Sequence, residues 1–426
     1  MQKAAQQIVQ ILRRHGYEAL YAGGWVRDFL LRRRSDDIDI ATSARPEEIL
    51  RLFPNSMPIG VAFGVVQVRR YGHAYDVSTF RKEGPYLDGR HPSSVAFTGA
   101  EQDALRRDFT VNGLFYDPTE NRVIDYVGGR ADLESRVLRT IGKAEDRFTE
   151  DKLRILRAVR LACSLDFKIE PATWSAIRRF ASEITQVSSE RIRDELLKVL
   201  TGPDPARGLR LMHESGLLGH FLPEVESLAA APGDSGSDPL SRTRDALGLL
   251  TRRSAPLSLA VLLHSVGGSG PAEAAKVARQ VCRRLRLSND ETDRVVSLVA
   301  NQNRLTILKD MRESAARRTL LNPDIEDQLE LQRVTSLAAG GNLETYRFAK
   351  RKLRAVKGAP TRPTRLITGN DLLELGYAPG PLFREILESV EDLVMENVLR
   401  TRAEAIEHIR RQYPRNGANA RKGEGP

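Results

Sequence analysis

Ile8, Ile11 and Leu12 fall on one face of the opening segment MQKAAQQIVQILRRHGYEA, and that spacing predicts an amphipathic helix. From about residue 18 to 140 the period shortens. Val65 to Val68, Tyr75 to Phe80 and Val123 to Tyr126 are short β-like runs mixed with helical segments, which predicts an α+β domain built on one sheet. After Lys143 the strands are expected to stop. Apolar spacing is helical from there to the end, broken at Pro203-Asp204-Pro205, from Ala231 to Ser237, from Gly267 to Pro271 and from Gly358 to Pro363. The chain therefore reads as a small sheet followed by helical modules, closed by the polar, basic NGANARKGEGP, an expected disordered tail.

At 426 residues the chain is too long for a single core, which agrees with domains in series. Its 41% hydrophobic and 29% charged residues are ordinary for a globular protein, and no apolar run is long enough to span a bilayer. The N-terminal helix lacks the unbroken apolar segment of a signal peptide, so a cytoplasmic protein is expected. Cys163 and Cys282 lie far apart without partner histidines, which argues against a disulfide framework or a zinc site and for core thiols. A formal charge of +10 favours a polyanionic partner, because Lys and Arg that neutralise phosphates release counterions. Basic residues recur at Arg32-Arg33-Arg34, Arg252-Arg253, Arg283-Arg284, Arg317-Arg318 and Lys350-Arg351-Lys352, with Arg354 close behind. Some are solvated helix faces; their recurrence along the later chain suggests a phosphate track.

The chemistry is concentrated in YAGGWVRDFLLRRRSDDIDIA, Tyr21 to Ala41. Alternate strand residues share a face, so Asp37 and Asp39 project together while Ile38 and Ile40 turn to the core. Two hard carboxylates suit Mg²⁺, which is usually completed by water and substrate phosphates. Gly23 and Gly24 permit close backbone approach to a phosphate, and the following helix, opening on Arg27 and Asp28, points amide groups at it. Together these features read as a nucleotidyl transfer site.

The same residues resemble the head of the class II tRNA nucleotidyltransferases and bacterial poly(A) polymerases, a polymerase-β-like branch with a GG…RD…DxD signature. The likeness covers nearly the whole chain. It implies a nucleotidyltransferase head with a small mixed sheet at 1–142, a helical neck at 143–204 that recognises the nucleotide base, a helical body at 205–310, a tRNA-binding tail at 311–415 and the disordered end at 416–426. ITGNDLLELGYAPGPLFREIL resembles the tail's helix pair. Implied partners are tRNA, with ATP and CTP as substrates, and no membrane.

Within that resemblance Asp37 and Asp39 would bind two Mg²⁺ roughly 3.5 to 4 Å apart. Asp76, in AYDVSTFR, is either a third metal ligand or an exposed strand acid. YLDGRHPSSVAF, Tyr86 to Phe97, matches a mobile loop that CC-adding members mostly lack, so its presence favours addition of the terminal adenosine; Asp88 and Arg90 are its candidate levers, and an ordinary surface loop is the alternative. In RRDFTVNG, Arg107 can grip phosphate, Asp108 can accept from ribose hydroxyls and Asn112 can address the sugar or triphosphate. Gly113 stands where relatives often have alanine. DYVGGRADL, Asp125 to Leu133, matches a hinge from head to neck, or is a plain turn at Gly128 and Gly129.

EDKLRILRAVR, Glu150 to Arg160, is the most diagnostic element. On a helix Asp151, Arg154 and Arg157 would form a row of one acceptor and two donors, with Arg160 one turn on. Cytosine and adenine both present an amine beside an acceptor, so such a row would accept CTP and ATP and reject UTP and GTP. The alternative is an i,i+3 helix salt bridge between Asp151 and Arg154. SSERIRDELLKVL, Ser188 to Leu200, opens on a cap-like serine, and its Glu190 and Arg191 are expected to brace the neck. LAVLLHSVGG carries His264 beside Ser265 where some relatives have a phosphohydrolase HD pair, so no phosphatase activity is expected. Poly(A) addition, or partial CC or A addition, on the same scaffold is the alternative function.

Overall fold

A computed structural model of the chain describes residues 1–35, 37–60, 63–84, 94–231, 238–268, 270–358, 366–396 and 398–414. Asp88 and Arg90, most of the loop from Tyr86, and the closing tail lie outside the described residues.

The first helix, α1 (Gln2–Arg14), buries Ala4, Ala5, Ile8, Val9 and Leu12, with Ile11 half-buried at the margin of that face. There follow β1 (Ala19–Ala22), α2 (Gly24–Leu30), β2 (Asp39–Thr42), α3 (Pro46–Leu52), β3 (Ser56–Gly60), β4 (Val65–Arg70), β5 (His73–Thr79), the hairpin β6 (Arg81–Glu83) and β7 (Val95–Phe97), α4 (Ala100–Leu105), β8 (Leu114–Asp117) and β9 (Arg122–Asp125). Seven strands form one sheet in the order β3-β4-β5-β2-β1-β8-β9. It is mixed: β2 and β5 run parallel, and β1 is antiparallel to both β2 and β8.

Period-2 alternation divides the buried residues between two faces of this sheet. Tyr21, Ile40 and Val77 join the core that α1 covers. Leu20, Ala41, Phe80 and Phe115 join a smaller core closed by Ala100 and Ala104 of α4. With both faces covered, the sheet's chemistry is confined to its ends.

The head leads through α5 (Gly129–Glu134), β10 (Val137–Leu138), α6 (Ala144–Glu150), α7 (Leu153–Leu165), β11 (Lys168–Ile169), α8 (Pro171–Phe180) and α9 (Ser189–Leu200). Here the expectation that strands end at Lys143 is corrected: β11 pairs in parallel with β10. The pairing satisfies backbone groups where the chain re-crosses its exit from the head, with Lys168 donating to the Arg136 carbonyl at 2.9 Å and Glu170 to that of Leu138 at 3.0 Å. Ser188 stands at the N-cap of α9, but its side chain makes no capping hydrogen bond.

Beyond α9 the described residues are helical. One core runs from Ala4 to Val334, and two smaller ones gather around Leu320 and Leu353 and around Leu372, Ile386 and Ile409. The helix Ile325–Ala338 faces two of them, giving Leu331 and Val334 to the main core and Ile325 and Leu329 to the next. Its buried Asp327 pairs with Arg252 at 3.0 Å and Arg294 at 2.7 Å, so the helix stitches the modules together. The likeness at ITGNDLLELGYAPGPLFREIL corresponds to helices Gly369–Glu374 and Pro381–Met395. Both thiols, Cys163 and Cys282, are buried, and burial pushes each up to about 12.

Several of the basic clusters serve the fold. Arg252 pairs with Asp327, Arg284 with Glu224, Arg317 and Lys352 with Glu313, and Arg318 with Asp392. On the helix Glu344–Gly358, Arg347, Lys350, Arg351 and Arg354 are exposed and lie on the same side by their three- and four-residue spacing.

Candidate active site

Three strand ends meet at one point of the head. β1 pairs Ala22 with Asp39 of β2 and then turns at Gly23, whose amide donates to the carbonyl of Leu114, the first residue of β8, at 3.1 Å. Gly23 has φ +69°, and a Cβ there would lie 3.0 Å from Arg107 Nη1 and 3.8 Å from Asp39 Oδ2. Only glycine leaves this approach open. α2 starts immediately after, at Gly24.

The cleft beside this turn has a volume of about 340 Å³. Gly23, Gly24, Asp39, Asp108 and Asn112 line it, together with six arginines: Arg27, Arg106, Arg107, Arg154, Arg157 and Arg160. Residues from both head and neck thus enclose one strongly basic space, suited to a polyphosphate. Asp37, Asp76 and Asp151 stand outside the lining.

Asp39 begins β2, whereas Asp37 precedes the ladder, which corrects the expectation that a single strand carries both. The alternation holds all the same: Ile38 and Ile40 are buried, Asp39 is half-buried and Asp37 is exposed. Asp76 of β5 sits one residue before the ladder pair Ile40–Val77, level with Asp39, and accepts from Gln67 Nε2 at 3.3 Å. Burial, followed by the negative charges of Asp37 and Asp76 against a partial offset from Arg107, pushes the Asp39 carboxyl up to about 6. A cation would relieve that excess negative charge. Among the described residues no three His, Cys, Asp or Glu side chains come close enough to hold a metal by themselves. The Asp37 and Asp39 pair nevertheless fits Mg²⁺, which takes one or two carboxylates and completes its shell with water and phosphate.

The RRDFTVNG segment folds over the sheet end and is held there by side-chain hydrogen bonds. Asp108, buried in the cleft wall, accepts from the Phe109 amide at 2.8 Å and Asn112 Nδ2 at 3.1 Å, and its other oxygen lies 2.9 Å from Arg157 Nη2. Burial opposes its charge, but Arg157, Arg154 and these donors outweigh it and hold the carboxyl below the usual carboxylate range. Arg27 reaches Asn112 Oδ1 at 2.6 Å while its other edge grips Asp28 through two 2.9 Å bonds. Asn112 is therefore oriented from both sides, its amide donating to Asp108 and its carbonyl accepting from Arg27.

The row expected on one helix is interrupted. Asp151 is the extended C-cap of α6, and α7 begins only at Leu153, so Asp151 stands at a corner before the helix that carries Arg154, Arg157 and Arg160. One carboxylate oxygen accepts from the Leu153 amide at 3.1 Å, which satisfies the first amide of α7. The alternative i,i+3 pair does not form either: Asp151 pairs with Arg191 of α9 at 2.7 Å, and the buried Arg154 pairs with Glu150 and donates to the Arg147 carbonyl at 3.1 Å. Arg160 pairs with Glu195 of α9 at 2.5 Å.

Thus α9 holds Asp151 through Arg191 and the cleft-lining Arg160 through Glu195, whereas Glu190, expected to brace with Arg191, is exposed. Glu195 went unnoticed in the sequence. It lies one turn after Arg191 among the buried residues of α9, and no motif marks it. Glu150 was likewise read only as the start of a motif.

The turn between β9 and α5, where a hinge was expected, is tightly packed. Asp125 accepts from the amides of Val127, Gly129 and Arg130 at 3.0, 3.1 and 2.9 Å, Gly128 adopts φ +77°, and a Cβ on Gly129 would lie 2.2 Å from the Thr110 carbonyl. His264 is half-buried and does not line the cleft; its Nδ1 shares a hydrogen bond with the Val261 carbonyl at 2.7 Å, and desolvation lowers its pKa.

Comparison with known proteins agrees with this architecture. Residues 19–139 match the Poly A polymerase head domain, and residues 166–228 match the family described as the probable RNA and SrmB-binding site of polymerase A. A CCA-adding enzyme of Geobacillus stearothermophilus is 33% identical over 403 residues, covering 94% of each chain. One of Bacillus cytotoxicus is 32% identical over 410 residues, covering 95% of this chain and 96% of the other. The crystal structure of Bacillus stearothermophilus CCA-adding enzyme in complex with CTP superposes with a TM-score of 0.74 at 31% identity, covering 96% of this chain and 98% of that one. With a basic cleft lined from both the sheet and α7 and relatives matched over 94% of the chain, the chain belongs to the family of CCA-adding enzymes, the nucleotidyltransferases built on a polymerase head.

Proposed function

We infer that the protein adds or repairs the 3′-terminal CCA of tRNA, one nucleotide at a time, from CTP and ATP and without a nucleic-acid template. The observation that carries this is the joint construction of the cleft. The head supplies carboxylates beside a glycine turn and the neck supplies a row of arginines behind a carboxylate corner, so one space can hold a triphosphate and meet its base.

Asp37 and Asp39, with Asp76 beside them, would hold Mg²⁺. When bound, that ion lowers the pKa of the attacking 3′-hydroxyl and neutralises the nucleotide phosphates. Around it the chain's own residues orient the substrate. Gly23 and Gly24 let the backbone approach the phosphates, and Arg107 grips them. Asp108 and Asn112, held by Arg157 and Arg27, meet the ribose hydroxyls; Asp108 Oδ2, paired in charge with Arg157 but accepting no hydrogen bond, is the oxygen with acceptor capacity left for the sugar. Asp151 and Arg154 address the base edge, the carboxylate accepting from an exocyclic amine and the guanidinium donating to the adjacent acceptor. Arg160 extends the basic wall behind them. The exposed basic stripe on Glu344–Gly358 lies in the segment assigned to tRNA binding, 311–415.

Incubation with tRNA ending before CCA, tRNA ending in CC, and an unstructured RNA, each with one labelled NTP at a time, tests the reading. CTP should add only to the first and ATP only to the second. A long adenosine run on unstructured RNA would instead identify poly(A) polymerase activity.

A further inference from the structure

Arg107 is the arginine closest to the glycine turn, with Nη1 3.0 Å from the place a Cβ on Gly23 would occupy. A long side chain facing a charged cleft ordinarily pays rotamer entropy when a ligand fixes it. Here it is fixed beforehand. Asp103 of α4, only 1% exposed, accepts from Arg107 Nε at 3.2 Å and Nη2 at 2.9 Å through one oxygen. Its other oxygen accepts from Arg106 Nε at 2.9 Å and Nη2 at 2.7 Å, and from the Arg81 amide at 3.2 Å.

The Arg107 guanidinium also lies over the Phe115 ring at 5.1 Å, so its plane is set from two directions. With the Nε and Nη2 edge engaged, the Nη1 corner remains directed at the cleft. Arg106 is spent differently. It is held by Asp103 and by Glu83 at 3.0 Å, and its carbonyl accepts from Arg154 Nη2 at 3.4 Å, so it acts as a buttress. Despite its burial, the Asp103 carboxyl is held below the usual range by the two guanidiniums and stays charged. An exposed helix pair at this spacing would contribute little, whereas a buried carboxylate gripping two forks sets a geometry.

We propose that Asp103 is a positioning residue for nucleotide binding, holding the Arg107 fork in the orientation that receives the phosphates of CTP and ATP. This rests on the reading of Arg107 as a phosphate contact. The experiment compares Asp103→Asn, Asp103→Glu, Arg107→Lys and the double variant Asp103→Asn/Arg107→Lys in the full chain, by KM for CTP, ATP and tRNA, by kcat, and by thermal melting. Asp103→Asn should raise the KM of both nucleotides about tenfold, while KM for tRNA and kcat at saturating nucleotide change about twofold or less, since the loss is one of pre-organisation. The double variant should be no worse than Arg107→Lys alone, because both remove the same oriented fork. Asp103→Glu keeps the charge but displaces the carboxylate by a methylene, so its nucleotide KM should rise about threefold, and it serves should the Asn variant fail to fold.

Unchanged nucleotide KM in folded Asp103→Asn or Asp103→Glu, or effects that multiply in the double variant, would overturn the proposal. If Arg107→Lys alone leaves the nucleotide KM unchanged, the phosphate reading of Arg107 fails as well. If Arg107→Lys raises it and the Asp103 variants do not, only the positioning role is lost.

Discussion

Arg191 lies 2.7 Å from Asp151, and through that ion pair α9 holds the carboxylate at the corner between α6 and α7. The acid proposed to read the base is thus oriented by a residue from a separate helix. Replacing Asp151 or Arg154 with Ala should relax selection of CTP and ATP over UTP and GTP by roughly ten- to a hundredfold, since one misplaced base contact costs about 1 to 3 kcal/mol. Arg191→Ala should relax it in the same direction by a smaller factor. Single-nucleotide incorporation with all four NTPs, alongside a melting curve, checks this; intact selection with only a lower melting temperature would mean that the corner is purely structural.

Asp108 and Arg157 join head to neck inside the cleft wall, 2.9 Å apart. Asp108→Asn leaves the shape but removes an ionised acceptor, and should cut discrimination between ribo- and deoxyribonucleotides by about tenfold, the worth of one charge-assisted hydrogen bond. Competition between CTP and dCTP on tRNA lacking CCA measures it. Equal discrimination in wild type and variant would move sugar recognition elsewhere.

Asp39 carries a pH signature. Its carboxyl ordinarily titrates near 3.8 and is pushed up to about 6 in the fold, chiefly by burial. The folded protein therefore binds this proton more tightly than the unfolded chain does, so its contribution to stability is lost as pH rises from about 4 to about 6, and ionised Asp39 is a strain above that. Metal-free wild type should melt higher at about pH 5 than at about pH 7.5 relative to Asp39→Asn, and Mg²⁺ should narrow the difference by pairing with the carboxylate. Calorimetry in chelator and in Mg²⁺ tests both statements. Identical pH slopes in the two proteins would remove Asp39 as a strained acid.

Gly23→Ala should depress nucleotide addition by about tenfold or more, because the added Cβ meets Arg107 Nη1 at 3.0 Å and the backbone sits at φ +69°. Its effect should appear in nucleotide KM as well as kcat. A fully active variant would show that the turn tolerates a side chain and that Arg107 has room to move.

The fold class, the strand of Asp39 and the helical character after residue 143 were legible in the sequence because each rests on local periodicity. Val65–Arg70 and His73–Thr79 announced themselves by alternation, and α1 by its apolar face. What stayed hidden depends on non-local partners. The break before Leu153 is fixed by the Arg191–Asp151 pair, forty residues apart, while local spacing alone suggests an unbroken helix from Asp151 onward. The short pair β10–β11 is too brief for any periodic signal and arises from the chain meeting itself. Of the proposed site residues, the GG turn and the DxD acids were marked by spacing and RRDFTxN by the resemblance; Gly23, Gly24, Asp39, Arg107, Asp108 and Asn112 line the cleft, and Asp37 does not. The partners that orient them, Asp103, Glu195 and Arg191, carry no such pattern, and only packing reveals that their charges are buried.

We propose that the carboxylate pair Asp37 and Asp39 drives nucleotide addition while distributed basic contacts hold the RNA. The most direct measurement compares wild type with Asp37→Ala and Asp39→Ala, recording incorporation of CTP and ATP into tRNA lacking CCA in Mg²⁺ together with tRNA affinity. Either substitution should abolish addition and leave tRNA binding within about threefold, because phosphate contacts elsewhere supply most of that affinity. Full incorporation by either variant would show that the carboxylate it lacks does not drive addition.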